Sequence, residues 1–123
     1  MTWLVLCVTA VPVAARGVFE AGGFDCTLGE SPGTRVRIAG LDPAHDRAAV
    51  AEDTLAARDS QVIRTESGIT LVTPGAGGSL VFTTIFAGPA ESSGYDAVQS
   101  RHLTAMTGIP QLGQRVGSCR ALP

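Results

Sequence analysis

An all-β fold is expected, an antiparallel meander forming a small barrel or sandwich of about seven to eight short strands. Three observations predict it. Short runs rich in β-branched and aromatic residues recur along the chain, separated by turns rich in Gly and Pro. The clearest two, 69–73 (Ile-Thr-Leu-Val-Thr) and 80–86 (Leu-Val-Phe-Thr-Thr-Ile-Phe), flank Pro74-Gly75-Ala76-Gly77-Gly78, which supplies a fixed φ and then residues free to reverse the chain. Finally, Cys26 and Cys119 fall in the first and last runs, and a bond between them suits a barrel whose end strands become neighbours and leave no open edge.

Taken in order, 3–15 is a nearly unbroken apolar run ending Val13-Ala14-Ala15 before Arg16. It is too short for a membrane-spanning helix, which needs about 20 residues. Small residues after an apolar stretch are what a signal peptidase reads, so 1–15 is expected to be a signal peptide and 16–123 a single β-rich domain. Met1-Thr2 carries no basic residue, and a buried N-terminal strand is the competing reading. Cys7 is read as one more apolar residue of the leader. Residues 16–23 form a loose lead-in with three glycines. In 24–28, alternation places Phe24, Cys26 and Leu28 on one face; in 35–39 it buries Val36 and Ile38 and leaves Arg35 and Arg37 in water.

The stretch 42–60 reads two ways. Asp42-Pro43 can start a helix over about 43–57, with Ala44, Ala48, Ala51 and Leu55 on one thin face. Alternatively a turn at 43–46 leads into a short strand at 48–51. Strands are expected again at 61–65, 69–73 and 80–86, the last apolar on both faces and so expected to be covered on both. Two more follow, at 95–106 and 114–122.

The net charge of −2, with every basic residue an Arg, gives no reason to expect nucleic acid or an anionic membrane as partner. After the leader, two cysteines remain. An even count in an exported chain implies a Cys26–Cys119 disulfide. The protein is therefore expected to be periplasmic or secreted, not an integral membrane protein after processing, and monomeric.

Catalytic and cofactor motifs are not evident. Gly75-Ala76-Gly77-Gly78 lacks the Gly-Lys-Ser/Thr ending of a phosphate loop and precedes a strand instead of a helix. Asp42, His45 and Asp46 offer fewer ligands than a metal requires, and read as an ordinary turn. His102 beside Ser100 has no nucleophile elbow around it. No catalytic residue, metal or cofactor is expected. The polar stretch Glu91-Ser92-Ser93-Gly94-Tyr95 holds the chain's single Tyr and interrupts the meander; loops on rigid scaffolds are where binding residues gather. Glu91, Ser93, Gly94 and Tyr95 are therefore the candidate binding residues.

Phe24-x-Cys26 in the first strand and Gly117-x-Cys119 in the last resemble the frame of the periplasmic inhibitors of C-type lysozyme. That resemblance implies a small antiparallel barrel tied by a terminal disulfide. It also implies a Ser-Gly-Tyr loop that enters a lysozyme cleft, for which Ser93-Gly94-Tyr95 is the counterpart. Separately, Ser100-Arg101-His102, Gly108, Gln114, Gly117 and Cys119 are similar to the C-terminal pattern of small exported bacterial proteins of unknown function. The expectation is a non-catalytic binding or inhibitor-type module whose partner is an envelope or extracellular protein. The alternatives are a carrier holding an apolar molecule inside the barrel, lined by residues such as Leu80 and Phe82, and a small hydrolase using His102.

Overall fold

Eight strands follow one another in the computed structural model, which describes residues 17–42, 44–75, 78–88, 94–104 and 110–122. They are β1 (Gly23–Leu28), β2 (Thr34–Ala39), β3 (Arg47–Glu52), β4 (Arg58–Thr65), β5 (Gly68–Pro74), β6 (Leu80–Phe86), β7 (Tyr95–Thr104) and β8 (Pro110–Leu122). Each pairs antiparallel with its sequence neighbour, and β8 pairs with β1, so the sheet closes into a barrel in simple up-and-down order. Closure satisfies every strand edge from within the chain. An eight-stranded barrel is just wide enough for side chains to fill it.

The seam is fixed by sulfur. Cys26 and Cys119 lie directly opposite each other across β1 and β8, Cα atoms 4.0 Å apart, and are joined as a disulfide. Two positions further on, Gly117 sits opposite Leu28. A Cβ at 117 would collide with the backbone carbonyl of Thr27, so only glycine allows β8 to lie this close to β1. That is the physical content of the Gly-x-Cys pattern.

Inward positions follow period-two parity. At one end they are apolar: Phe24, Ile38, Ile69 and Ile85 are fully buried with the disulfide beside them, and the Tyr95 ring meets Phe24 edge-on at 6.3 Å. The 17–22 segment, expected as a loose lead-in, instead seals this end. Val18 and Ala21 join the core, and the Leu41 amide donates to the Gly22 carbonyl at 3.1 Å. Arg64 locks the neighbouring turn by donating to the carbonyls of Asp42 (2.8 Å) and His45 (3.2 Å).

The two readings of 42–60 resolve in favour of turn plus strand. Asp42 accepts from the Ala44 amide at 2.9 Å and from His45 at 2.9 Å, a local turn that leads into β3. Ala48 and Val50 then face inward and are buried. No helix occurs among the described residues. The strand wins because β3 pairs with both β2 and β4, whereas a helix would have offered only a thin alanine face.

One expectation fails on β6. Leu80, Phe82 and Phe86 stand on the outer face, with Leu80 40% and Phe86 38% exposed. A closed barrel has a single interior, and among the described residues Leu80 and Phe86 are left partly open to solvent on its outer wall. Leu80 and Phe82 therefore do not line an interior cavity.

Candidate functional site

The inward apolar sequence stops short of the second end. There the same parity that carries Ala48 and Val50 on β3 delivers Glu52. On β7 the inward series Tyr95, Ala97 continues as Gln99 and Arg101, and on β8 Arg115 shares the parity of Gly117 and Cys119. Three strands remote in sequence thus aim charged or amide side chains into one mouth.

These groups are bonded mainly to each other. Arg101 Nη2 donates to Glu52 Oε2 at 3.0 Å and to Oε1 at 3.2 Å. Gln99, 2% exposed, donates through Nε2 to Glu52 Oε1 at 3.2 Å and to Thr83 Oγ1 at 3.1 Å. Arg115 donates to the Gln99 Oε1 and to Thr34 Oγ1, and lies 3.7 Å from Glu52. Deeper in the wall, the Ser60 and Thr73 hydroxyls share a hydrogen bond of 2.8 Å. Buried polar groups are tolerated because each is satisfied in this way.

Beside the network opens a pocket of about 240 Å³ between the β3–β4 and β5–β6 turns. Its polar wall carries Glu52, Arg58 and Arg101, and its apolar wall includes Val50, Leu55 and Val81. Leu55, at the rim, is 65% exposed. Arg58 donates through Nη1 to the Pro74 carbonyl at 3.1 Å, which holds its guanidinium over the opening.

The residues singled out from sequence do not assemble here. Glu91 and Ser93, like residues 1–15, expected to be a signal peptide, lie outside the described residues. Gly94 and Tyr95 are at the opposite, closed end. Gly94 takes φ 101°, and a Cβ there would strike the Cys119 carbonyl; its role is to let the chain enter β7. Tyr95, expected both as the last residue of the binding stretch and as the first of a strand, is the first residue of β7 and is 6% exposed, packed against Phe24. His45 belongs to the Asp42 turn. His102 stands exposed on the outer wall, edge-on to Phe82 at 5.0 Å, remote from any paired hydroxyl in the mouth.

Glu52, Gln99, Arg101 and Arg115 were missed as a group. The available signal was parity: each continues a series whose earlier members are apolar and inward.

Among the described residues, no group of three or more His, Cys, Asp and Glu side chains is placed to hold a metal ion. No helix among them is long and apolar enough to cross a membrane. No family model, curated protein or solved structure matches the chain.

Proposed function

We propose that this is an exported binding module that holds a small ligand at the mouth of a disulfide-closed barrel without transforming it. The observation that carries the reading is the pocket of about 240 Å³ beside a pre-bonded ion network. Rigid, satisfied polar groups next to an apolar wall are how small-molecule sites fix orientation. Binding is favoured over turnover because the one carboxylate on the wall is engaged by Arg101 and Gln99, and no second acid or imidazole stands among the lining residues to share proton transfer with it. The two histidines described here lie elsewhere.

An inhibitor that inserts a Ser-Gly-Tyr loop is less well supported, since Tyr95 is a core residue. A carrier with its ligand deep inside the barrel competes with the side chains that fill the closed end. The mouth leaves room for a ligand without displacing them.

The test is a fragment screen on the oxidised, ¹⁵N-labelled protein. Amide shifts should cluster at 52–58, 73–81 and 101, with the fragments recovered unchanged. Shifts centred on 94–97, or none with any fragment, would remove the mouth as the site. Export is tested separately by mass: an N-terminus at Arg16 with Cys26 and Cys119 oxidised supports it, and cytosolic protein with both thiols free removes it.

A further inference from the structure

We propose that the ligand of the mouth pocket is a small organic monoanion, a carboxylate with a short apolar body, anchored by Arg58. This rests on reading the mouth as the binding site and adds to it the chemical class of what enters.

Charge comes first. Arg58 and Arg101 line the pocket with Glu52, and Arg115 stands just behind, 3.7 Å from the same carboxylate. Two guanidiniums therefore share one local anion, Arg58 adds a third positive charge beside them, and the surplus is positive. In a concave, partly apolar setting such a surplus raises the local concentration of anions.

Hydrogen-bonding capacity points the same way. Both Glu52 oxygens already accept from Arg101, and Oε1 accepts from Gln99 as well, so an incoming ammonium would meet a carboxylate whose charge is already paired with Arg101. The guanidinium of Arg58 is different. Its recorded bond is to the Pro74 carbonyl, and no carboxylate among the described residues lies within ion-pair distance of it. Arg37 and Arg120 on the outer wall also stand without an ion pair among the described residues, whereas Arg58 does so within a concave site. What Arg58 lacks is an acceptor with negative charge, which a planar carboxylate supplies to a guanidinium fork.

The remaining wall sets the body of the ligand. Val50 and Val81 form an apolar floor, and Leu55 is 65% exposed at the rim, where a ligand would cover it. The volume of about 240 Å³ falls below the roughly 300–1,000 Å³ of sites for drug-sized molecules. A single ring or short chain fits that limit.

The experiment titrates the oxidised protein with benzoate, benzamide, benzylamine and inorganic phosphate, followed by amide shifts and calorimetry. Benzoate should bind with shifts at 55–58, 73–75 and 79–81, and benzamide at least about tenfold more weakly, since it forfeits a charged hydrogen bond. Arg58→Gln should weaken benzoate by a similar factor while leaving the melting temperature unchanged, whereas Arg47→Gln on the outer wall should leave benzoate binding intact. Equal affinity for benzamide, a preference for benzylamine, or phosphate binding as tightly as benzoate would each overturn the anion-plus-apolar class. If in those cases fragments still bind at the mouth, the binding-module reading survives. If none of the four probes binds and the fragment screen is also silent, that reading falls too.

Discussion

At the closed end of the barrel Phe24, Ile38, Ile69 and Ile85 meet with no appreciable exposed surface, while at the mouth the same inward positions carry Glu52, Gln99, Arg101 and Arg115. The backbone is alike at both ends: antiparallel pairs, continuous register, parity of two. Only residue identity differs. One end gains from apolar burial, on the order of 1.5–3 kcal/mol for each large side chain fully removed from water. The other gains little from its half-exposed ion pairs, which must first offset their own desolvation. Stability is therefore concentrated at the closed end, and the mouth is the part of the sheet that can be given over to recognition.

The largest expected effect comes from the bond that ties the closed half together. The Cys26–Cys119 disulfide closes a loop of 93 residues, for which chain entropy predicts roughly 4–5 kcal/mol of stabilisation. Denaturant titration of the double variant Cys26→Ala/Cys119→Ala against the oxidised protein measures it. A loss below about 1 kcal/mol would break the comparison, because the seam would then contribute no more than an exposed ion pair.

The mouth should respond less, and in a diagnostic pattern. Glu52→Gln leaves Arg101 and Arg115, with side chains 40% and 30% exposed, sharing a neutral acceptor, at a cost of about 1–3 kcal/mol. Replacing the group together, as Glu52→Leu/Gln99→Leu/Arg101→Leu/Arg115→Met, should be close to neutral, since paired buried charges are often replaceable by apolar residues of similar size. If the quadruple variant is far less stable than Glu52→Gln, the network contributes stability and not merely placement. The ranking of the two ends would then need reversing.

Much of the closed end was legible from sequence. Phe24-x-Cys26-x-Leu28 and Val36-x-Ile38 announce their inward faces by alternation, and the two cysteines that follow the apolar 3–15 run, Cys26 and Cys119, fall in the first and last strands. The mouth was not, because Glu52 lies 47 and 49 residues from Gln99 and Arg101 and farther still from Arg115, and only barrel closure brings them together. A charged or amide side chain on a strand, taken alone, is mostly a solvent-facing one. Arg101 drew notice beside His102, yet the two point to opposite sides of β7, one into the mouth and one onto the outer wall. Tyr95 misled in the other direction: a polar flank made it resemble a loop residue, while its parity with Ala97 marked it as core.

The smallest effect belongs to neither end and so gives a baseline for both. On the outer wall Arg35 holds Asp25 through two bonds of 2.7 and 3.0 Å. That hydrogen bonding keeps the Asp25 carboxyl below the usual carboxylate range. Partial burial opposes the shift, and the charges of Arg35, Arg37 and Arg120 add to it. A carboxylate whose folded value is lowered contributes its stability in full above its unfolded value of about 3.9. The contribution is lost as pH falls through the lower folded value. The Arg35 side chain is 62% exposed, so solvent screening keeps the contribution of the pair small. Measured by urea titration at pH 7 and pH 3, Asp25→Asn should be slightly less stable than the parent at the higher pH, and the gap should narrow at the lower. Asp42, lowered chiefly by the Ala44 amide and then by His45, contributes equally to both proteins and cancels in that difference. A gap that stays constant between the two pH values would show that Asp25 acts through shape and not charge. The outer wall could then no longer stand as the neutral reference against which the two ends are ranked.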